Sequence, residues 1–276
     1  MPTIELIKGT EAIEEAVRAS LYEAVLDILG ATGTILPIGD PKHGLVTAST
    51  FKTVGGEQVA FTWSEPPNDF DTKPGYKALA PVVTFNGADE EADTPDAAYW
   101  TRGSGGAGSD LAFSVGAWIK PDVTTLQYIL SKFDNTTAST KREWDFTFST
   151  YIEALLRDES AGAYIGRNSS GGPALVAGTW YFIGMTYDGS EAASGINLYK
   201  DGTAVDDADS SGGVYTAMED TASLVRLGYR QGASGTENFF DGKMAGGPLS
   251  PFFTQKELTA DEVLRLYEIG RRALGL

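Results

Sequence analysis

Short runs of alternating apolar and polar residues dominate the chain after residue 80. In the segment 113–119, apolar residues occupy every second position, which is the period of a strand with one face turned to a core. Comparable runs, separated by Gly, Asp, Asn and Ser, lie at 82–85, 128–133, 144–148, 163–166, 180–187, 196–200 and 224–227. Many short strands with turn signals between them predict two stacked antiparallel sheets.

Two other segments carry the period of an amphipathic helix. Thr10 can cap a first helix over 11–29, in which apolar residues recur at positions 13, 17, 21, 25 and 28. A second helix is predicted over 259–274, where Thr259 and Glu262 form the sequence pattern of a capping box.

The composition changes near residues 64–80, which are polar and rich in proline. We predict an N-terminal docking module of helix plus strands at 1–63 and a linker at 64–80. The strands of this module are predicted at 34–38 and 58–63. The β-sandwich with its terminal helix then covers 81–276.

Charge and composition restrict the function classes. A formal net charge of −17 repels phosphate and anionic lipid, so neither nucleic acid nor a membrane is an expected partner. The chain has no cysteine and a single histidine, which excludes disulfides, thiolate chemistry and multi-histidine metal sites. The first residues lack the pattern of a signal peptide, so the product is expected to stay where it is made.

An ordered series of motifs resembles the laminin-G-like branch of the concanavalin A-like lectin and glucanase superfamily. The motifs lie at 85–87, 113–121, 129–134, 178–182, 186–190, 198–202, 240–242 and 258–267. The resemblance implies a mainly β fold, a jelly-roll sandwich of two antiparallel sheets with a small N-terminal α+β module and a C-terminal helix.

The segment 243–251 departs from the regular last strand of this family. It contains two prolines and two adjacent glycines, which an ordinary central strand does not accommodate. We expect this strand to be bulged, to lie at an edge, or to be diverted into a contact with another chain.

The residues near Asn86 and the segment ending at Trp100 also look like laminin-G-like domains of tailed-bacteriophage structural proteins. This resemblance implies a non-catalytic virion component, a capsid decoration or a tail- or fibre-associated subunit, assembled in the host cytoplasm. Other virion proteins, further copies of the chain and a cell-surface glycan are its expected partners. A free carbohydrate-binding lectin is the alternative, and a glycoside hydrolase is the third hypothesis.

Glucanases of the same superfamily carry carboxylates at alternating positions of one strand. The nearest match is Glu143-Trp-Asp145, which lacks the third carboxylate. We interpret Glu143, beside Arg142 and a packed tryptophan, as part of a structural ion pair. No catalytic residue and no enzyme activity are therefore predicted.

Sugar binding requires exposed aromatic rings beside hydrogen-bonding side chains at a loop edge. The residues that fit this description are Tyr99, Trp100, Arg102, Tyr229 and Arg230. Trp118, Trp144 and Trp180 lie in predicted strands and are assigned to the core.

Acidic loops are the candidate cation sites. Many relatives hold calcium through loop carboxylates and backbone carbonyls, so the resemblance implies calcium as the candidate cofactor. The carboxylates in question are Asp89, Glu90, Asp93 and Asp96, with Asp134, Asp206, Asp207, Asp209 and Asp241 as further options. Their spacing is not diagnostic, and a solvated acidic loop is the alternative.

Overall fold

The computed structural model describes residues 2–40, 42–43, 49–67, 69–72, 81–136, 139–206 and 208–276. This part of the chain contains two α-helices, α1 (Pro2–Leu29) and α2 (Ala260–Leu274), and 3₁₀ turns at Ala193–Gly195 and Gly247–Leu249. The strands are β1 (Thr34–Ile35), β2 (Thr50–Lys52), β3 (Val54–Gly55), β4 (Ala60–Glu65), β5 (Asp69–Thr72), β6 (Pro81–Asn86), β7 (Glu91–Thr94), β8 (Phe113–Pro121), β9 (Gln127–Thr136), β10 (Ser139–Phe148), β11 (Ile152–Asp158), β12 (Ala163–Asn168), β13 (Tyr181–Tyr187), β14 (Ile196–Lys200), β15 (Thr203–Ala204), β16 (Ala208–Gly212), β17 (Val225–Leu227), β18 (Arg230–Gly232), β19 (Gly235–Glu237), β20 (Asp241–Ala245) and β21 (Phe252–Thr254).

The strands form two sheets. The first sheet has the order β15-β14-β13-β8-β20-β6-β5, with β21 pairing with β8 and β1, and β1 also pairing with β3. The second sheet has the order β16-β12-β11-β10-β9-β17-β7-β4-β2, and the hairpin β18–β19 lies beside β9. Apart from one parallel bridge between β18 and β9, the recorded strand pairs are antiparallel. The predicted mainly β sandwich with its two helices is confirmed.

The main core lies between the two sheets. The apolar residues at alternate positions of β8 in the first sheet and β10 in the second belong to one buried cluster. Phe113 and Trp144 meet across the interface with their ring centroids 5.6 Å apart. Burial of such large rings is the main stabilising term of the sandwich.

The first sheet is buried on its outer face as well. All residues of β8 from Phe113 to Ile119 are buried. Trp118 points away from the main core and stacks on Tyr267 of α2, with ring centroids 5.6 Å apart. A second apolar cluster joins this face to α1 and α2. The predicted burial of Trp118 and Trp144 is confirmed, and Trp180 is partly buried against the second cluster.

The segment rich in glycine and proline interrupts a strand of the first sheet. β20 lies between β6 and β8, residues 246–251 leave the sheet, and β21 returns to β8 at Gly116. The φ of Gly247 is +58°, a left-handed value that glycine adopts without strain, and its N–H donates to the carbonyl oxygen of Ile38 at 3.0 Å. The strand is therefore interrupted within the sheet and does not lie at an edge, which is closest to the expected bulge; a contact with another chain stays a prediction.

The N-terminal helix is longer than predicted, whereas strands are present at both predicted places, as β1 and β4. Helix α1 begins at Pro2, so the predicted cap at Thr10 is wrong; proline is well accommodated in the first turn of a helix, and the helical period continues through Thr10. Strands β1 and β4 also pair with β21 and β7 of the sandwich, and β5 pairs with β6. Strands from both sides of the predicted boundary at 64–80 thus share the same sheets. Residues 68 and 73–80 of the predicted linker lie outside the described residues, and the division into module, linker and sandwich stays a prediction.

The C-terminal helix begins as predicted. The Thr259 hydroxyl accepts a hydrogen bond from the Glu262 N–H, and the Glu262 carboxylate accepts one from the Thr259 N–H, which completes the capping box. Within the described ranges, neither helix combines the length and apolarity needed to cross a membrane.

Substitution of Gly270 tests the close contact between α2 and the first sheet. A Cβ at Gly270 would stand 2.0 Å from Nε1 of Trp118. We expect Gly270→Ala to lower the free energy of unfolding by about 1 to 3 kcal/mol, because the helix must shift to relieve the overlap. Chemical denaturation measures this change. Gly106→Ala is the control, since no atom lies within 4 Å of that Cβ position; equal stabilities of the two variants would contradict the contact.

Candidate functional site on the open face of the second sheet

The outer face of the second sheet, here called the open face, carries charged and aromatic side chains. Helix α2 packs on strands of the first sheet, and α1 packs on α2 and on β1. In β11 the residues at 152, 154 and 156 are buried, whereas Glu153, Leu155 and Arg157 alternate with them and are partly exposed. Strict alternation therefore places Arg157 on the open face.

Arg157 is held between an acidic partner and two rings. Its Nε and Nη2 atoms each lie 3.4 Å from Oδ2 of Asp145. The guanidinium carbon is 5.2 Å from the ring centroid of Phe133 and 5.5 Å from that of Tyr164. Tyr164 reaches this position because it is the direct partner of Arg157 in the pairing of β11 with β12.

Arg230 occupies the neighbouring position. The hairpin β18–β19 pairs Arg230 with Glu237, and Nε of Arg230 donates to Oε1 of Glu237 at 2.7 Å. Its Nη1 donates to the Tyr128 hydroxyl at 2.7 Å, and the guanidinium lies 5.2 Å from the Tyr128 ring and 5.3 Å from the Phe133 ring. Phe133 thus contacts both guanidinium groups. The arginine–aromatic cluster consists of Tyr128, Phe133, Asp145, Arg157, Tyr164, Arg230 and Glu237.

The electrostatics of the cluster depend on a buried carboxylate. Burial raises the pKa of Asp145, and the nearby Arg157 opposes that rise. Oδ1 of Asp145 has no hydrogen-bond partner among the described residues. The Arg157 and Arg230 side chains are 15% and 23% exposed, so part of each side chain reaches solvent. Guanidinium groups held by rings and carboxylates can donate paired hydrogen bonds to a carboxylate or sulfate with little loss of side-chain freedom.

Glu143 does not lie on the open face beside Asp145, because the register of β10 against β9 shifts between Arg142 and Trp144. Glu143 is fully buried and forms an ion pair with the equally buried Lys132, and the Thr221 N–H donates to its carboxylate at 2.7 Å. Lys132 also contacts Asp96 at 2.9 Å. Asp145, two residues along the strand, pairs with Arg157 on the open face.

The two carboxylates of the Glu143-Trp-Asp145 segment therefore do not face one cleft. The expected ion pair of Glu143 is present, but its partner is Lys132, whereas Arg142 pairs with Glu159 at 2.6 Å. The register shift was not predicted from the sequence, because a bulge is defined by how a strand pairs with its neighbour.

The exposed position assumed for Trp100 and its neighbours is wrong. Trp100 is fully buried and packs on Phe253, with ring centroids 5.0 Å apart. The Tyr99 hydroxyl donates inward to the Thr32 carbonyl at 2.6 Å, and Arg102 is buried. These rings are needed to fill the core, so no face of Trp100 is open to a sugar.

Tyr229 is also buried, although Arg230 is not. Tyr229 stacks on Phe239 with centroids 5.9 Å apart, and its hydroxyl donates to Asp93 at 3.1 Å. Arg230 is therefore the one residue of the predicted set that belongs to the arginine–aromatic cluster. The segment 99–102 packs at the core and does not meet this cluster.

The carboxylates of the acidic loop have separate partners. Asp89 accepts a hydrogen bond from the Asn86 side chain at 2.7 Å, Asp93 accepts one from Tyr229, and Asp96 pairs with Lys132. In the described ranges no group of three or more His, Cys, Asp or Glu residues could hold a metal ion. Asp207 lies outside the described residues, and calcium binding stays a prediction.

Most of the cluster was not among the predicted site residues. Strand β11 was missing from the sequence prediction, and Arg157 was missed with it. The alternation of residues 152–158 is the signal that could have found this strand. Tyr128 and Phe133 lie at the ends of a predicted strand, but their contact with arginines from two other strands depends on tertiary structure.

A family comparison matches the greater part of this fold. The model described as concanavalin A-like lectin/glucanases superfamily, of laminin G type, matches residues 86–262. The chain belongs to this superfamily. The matched segment of this laminin-G-like protein includes strands of both sheets and every member of the arginine–aromatic cluster. No curated protein matches the sequence.

Solved structures share the fold at low sequence identity. The binding domain of botulinum neurotoxin serotype C1 is 11% identical with a TM-score of 0.54, over 86% of this chain and 52% of that one. The binding domain of botulinum neurotoxin DC in complex with SialylT is 12% identical with a TM-score of 0.52, over 87% and 52%. Trypanosoma rangeli sialidase in complex with sialic acid is 12% identical with a TM-score of 0.50, over 87% and 33%. The laminin-G-like chain thus spans about half of the neurotoxin structures and a third of the sialidase.

The buried ion pair of Glu143 predicts a pH dependence. Burial raises the pKa of Glu143 from its ordinary 4.5 to about 7, so between these pH values the folded chain binds a proton that the unfolded chain has released. Stability contributed by the protonated form is present below about pH 4.5 and is lost as the pH rises through about 7. We expect the unfolding free energy of the wild type to fall by about 2 kcal/mol relative to Glu143→Gln across this interval.

Denaturation at a series of pH values measures this difference. Glu65→Gln, at the exposed end of β4, is the control and should follow the wild type. Parallel pH curves for the wild type and Glu143→Gln would show that the burial of Glu143 does not affect its titration.

Proposed function

We propose that the chain is a non-catalytic binding protein whose open face binds a glycan carrying a carboxylate or sulfate group. The observation that carries this proposal is the pair of partly exposed arginine side chains, Arg157 and Arg230, whose guanidinium groups are fixed over the rings of the cluster. A planar guanidinium matches the geometry of both acidic groups. Tyr164, partly exposed beside Arg157, offers a ring and a hydroxyl to the rest of a sugar.

The net charge of the chain makes the local contacts decisive. At −17, the overall field opposes the approach of an anion. Binding of an acidic glycan must then come from short-range hydrogen bonds of the arginine–aromatic cluster. The similar structures in complex with SialylT and with sialic acid support a glycan as the ligand class.

The absence of catalysis is part of the proposal. Glu143 is held by Lys132 and Thr221, and Asp145 is buried beside Arg157. A glycosidase needs two carboxylates flanking one bond, and the register shift in β10 directs these two to different partners. This arrangement supports a binding role over hydrolysis.

We further propose that this binding protein is a virion component, as a capsid decoration or a tail- or fibre-associated subunit, assembled in the host cytoplasm. The sequence resemblance to bacteriophage structural proteins motivates this step. The separation of the helices from the open face supports it, because attachment through the helices leaves the open face free for a glycan on a cell surface.

Removal of one guanidinium tests glycan binding. An array containing acidic glycans and their carboxyl-reduced forms identifies the ligand, and titration calorimetry then gives its Kd. We expect Arg230→Ala to weaken binding about tenfold or more, and the reduced glycan to bind comparably weakly, because paired hydrogen bonds to the acid are lost. Arg230→Lys should bind with intermediate affinity, since it keeps the charge without the fork.

Arg167→Ala is the matched control. Arg167 is 17% exposed and paired with Asp206 and Asp209, but it lies opposite the buried Ala154 and so points away from the open face. The Arg167→Ala variant should therefore bind the glycan with an unchanged Kd. An array without acidic ligands, or equal affinities of the wild type and Arg230→Ala, would refute the proposed site.

Particle composition tests the virion role. We expect mass spectrometry of purified particles of the encoding virus to detect the chain at a fixed copy number. An antibody against the open face should label intact particles, because this face is proposed to point outward. A chain that stays in the soluble fraction of the lysate would contradict the virion role without affecting glycan binding.

A further inference from the structure

Helices α1 and α2 form a groove on the side of the molecule opposite the open face. The groove has a volume of about 510 Å³ and is lined by Val17, Leu21, Arg265, Glu268, Ile269, Arg272 and Ala273. Its floor is apolar, and the arginines stand at its rim. Arg265 is exposed and makes no ion pair within the described part of the chain.

The apolar stripe of α1 becomes exposed as it approaches this groove. Ile28 and Val25 are buried in the second apolar cluster, Leu21 is partly buried, and Val17 is 42% exposed. The sequence continues the same stripe to Ile13. A partner that covers Val17 would bury the part of this apolar stripe that the chain itself leaves exposed.

Helix α1 is much longer than the surface that supports it. It has 28 residues, about 42 Å, against 15 residues, about 22 Å, for α2. The Ile28 carbonyl accepts a hydrogen bond from Lys256 just before α2, whereas Val17 lines the groove together with Ala273 near the end of α2. The two helices are therefore antiparallel. Glu15 still pairs with Lys42 of the same chain at 3.0 Å, and residues 2–14, the N-terminal arm, continue for about 20 Å beyond it.

The arm and the groove have complementary chemistry. The arm contains three glutamates and one lysine together with apolar residues, and the rim of the groove presents Arg265 and Arg272. Glu268 also lines the groove and lies 3.6 Å from Arg272, so Arg265 is the rim cation that makes no ion pair among the described residues. An isolated helix of this length is marginal in water, so the arm gains stability from a surface to pack on. The arm of the same chain cannot fill the groove, because it extends the helix that forms one wall.

We propose that two copies of this chain associate by exchanging N-terminal arms, each arm lying in the groove between α1 and α2 of the other copy. The exchange is reciprocal, so a closed two-fold dimer satisfies both arms and both grooves at once. The exchange assigns the self-association expected from the sequence to the two helices. It leaves the open face of each copy exposed.

Light scattering after size-exclusion chromatography tests the exchange. We expect the wild type to have twice the mass of one chain and Val17→Glu to be monomeric, because a carboxylate in the groove repels the acidic arm and is desolvated there. Val214→Glu is the matched control. Val214 is 83% exposed and follows β16 at the edge of the second sheet, whereas the helices pack on the first sheet, so this variant should remain dimeric. A native-like circular dichroism spectrum and a single cooperative unfolding transition of the Val17→Glu monomer exclude misfolding as the cause.

A charge swap identifies the occupant. Arg265→Glu combined with Arg272→Glu should give a monomer, and adding Glu11→Arg and Glu14→Arg to the same chain should restore the dimer. A wild type that is monomeric, a swap that stays monomeric, or a groove filled only by a different particle protein would each overturn the exchange. Glycan affinity per chain should be the same in dimer and monomer, so failure of this proposal is distinguishable from failure of the glycan site.

Discussion

The burial of the first sheet on both faces is the constraint on which the rest of the structure depends. Strand β8 has no side that water can reach: Phe113 packs into the main core and Trp118 packs against α2. A strand of this kind requires a layer on each side, which the second sheet and the helices supply. The second sheet needs only one such layer, so its outer face remains open and can carry charged residues at alternate positions.

Partly buried charged residues on an open face still need partners of opposite charge or hydrogen-bond partners. Asp145 would be costly to bury alone, and Arg157 compensates its charge while lying against the rings of Phe133 and Tyr164. Arg230 is fixed in a similar way by Glu237 and Tyr128. The contacts that make this face stable also hold two guanidinium groups in position, so structural and binding roles coincide in the same side chains.

The features that were predicted correctly from the sequence are those that depend only on residues close together in the chain. The alternation around Trp118 and the capping box of α2 were correct, because strand period and helix caps are local properties. The exposure expected of Trp100 and Tyr229 was wrong, because both rings are of a residue type that sugar sites use but are buried here. Whether an aromatic residue near a loop is exposed depends on what packs over it, and a single sequence does not contain that information. The cluster around Phe133 was missed for the same reason, since its arginines come from β11 and β18.

The two proposed contact surfaces lie on opposite sides of the sandwich, and this separation has a mechanical consequence. The core between the sheets is closely packed around Phe113, Trp144 and Phe253, so the layers cannot slide past one another without opening cavities. Attachment at the helices therefore fixes the direction of the open face rigidly. A dimer held at its helices would present two open faces from one rigid body, and a glycan-coated surface could engage both at once. Because the second contact is then intramolecular, even weak binding at each Arg157–Arg230 pair would give firm attachment wherever the glycan spacing matches the distance between the two faces.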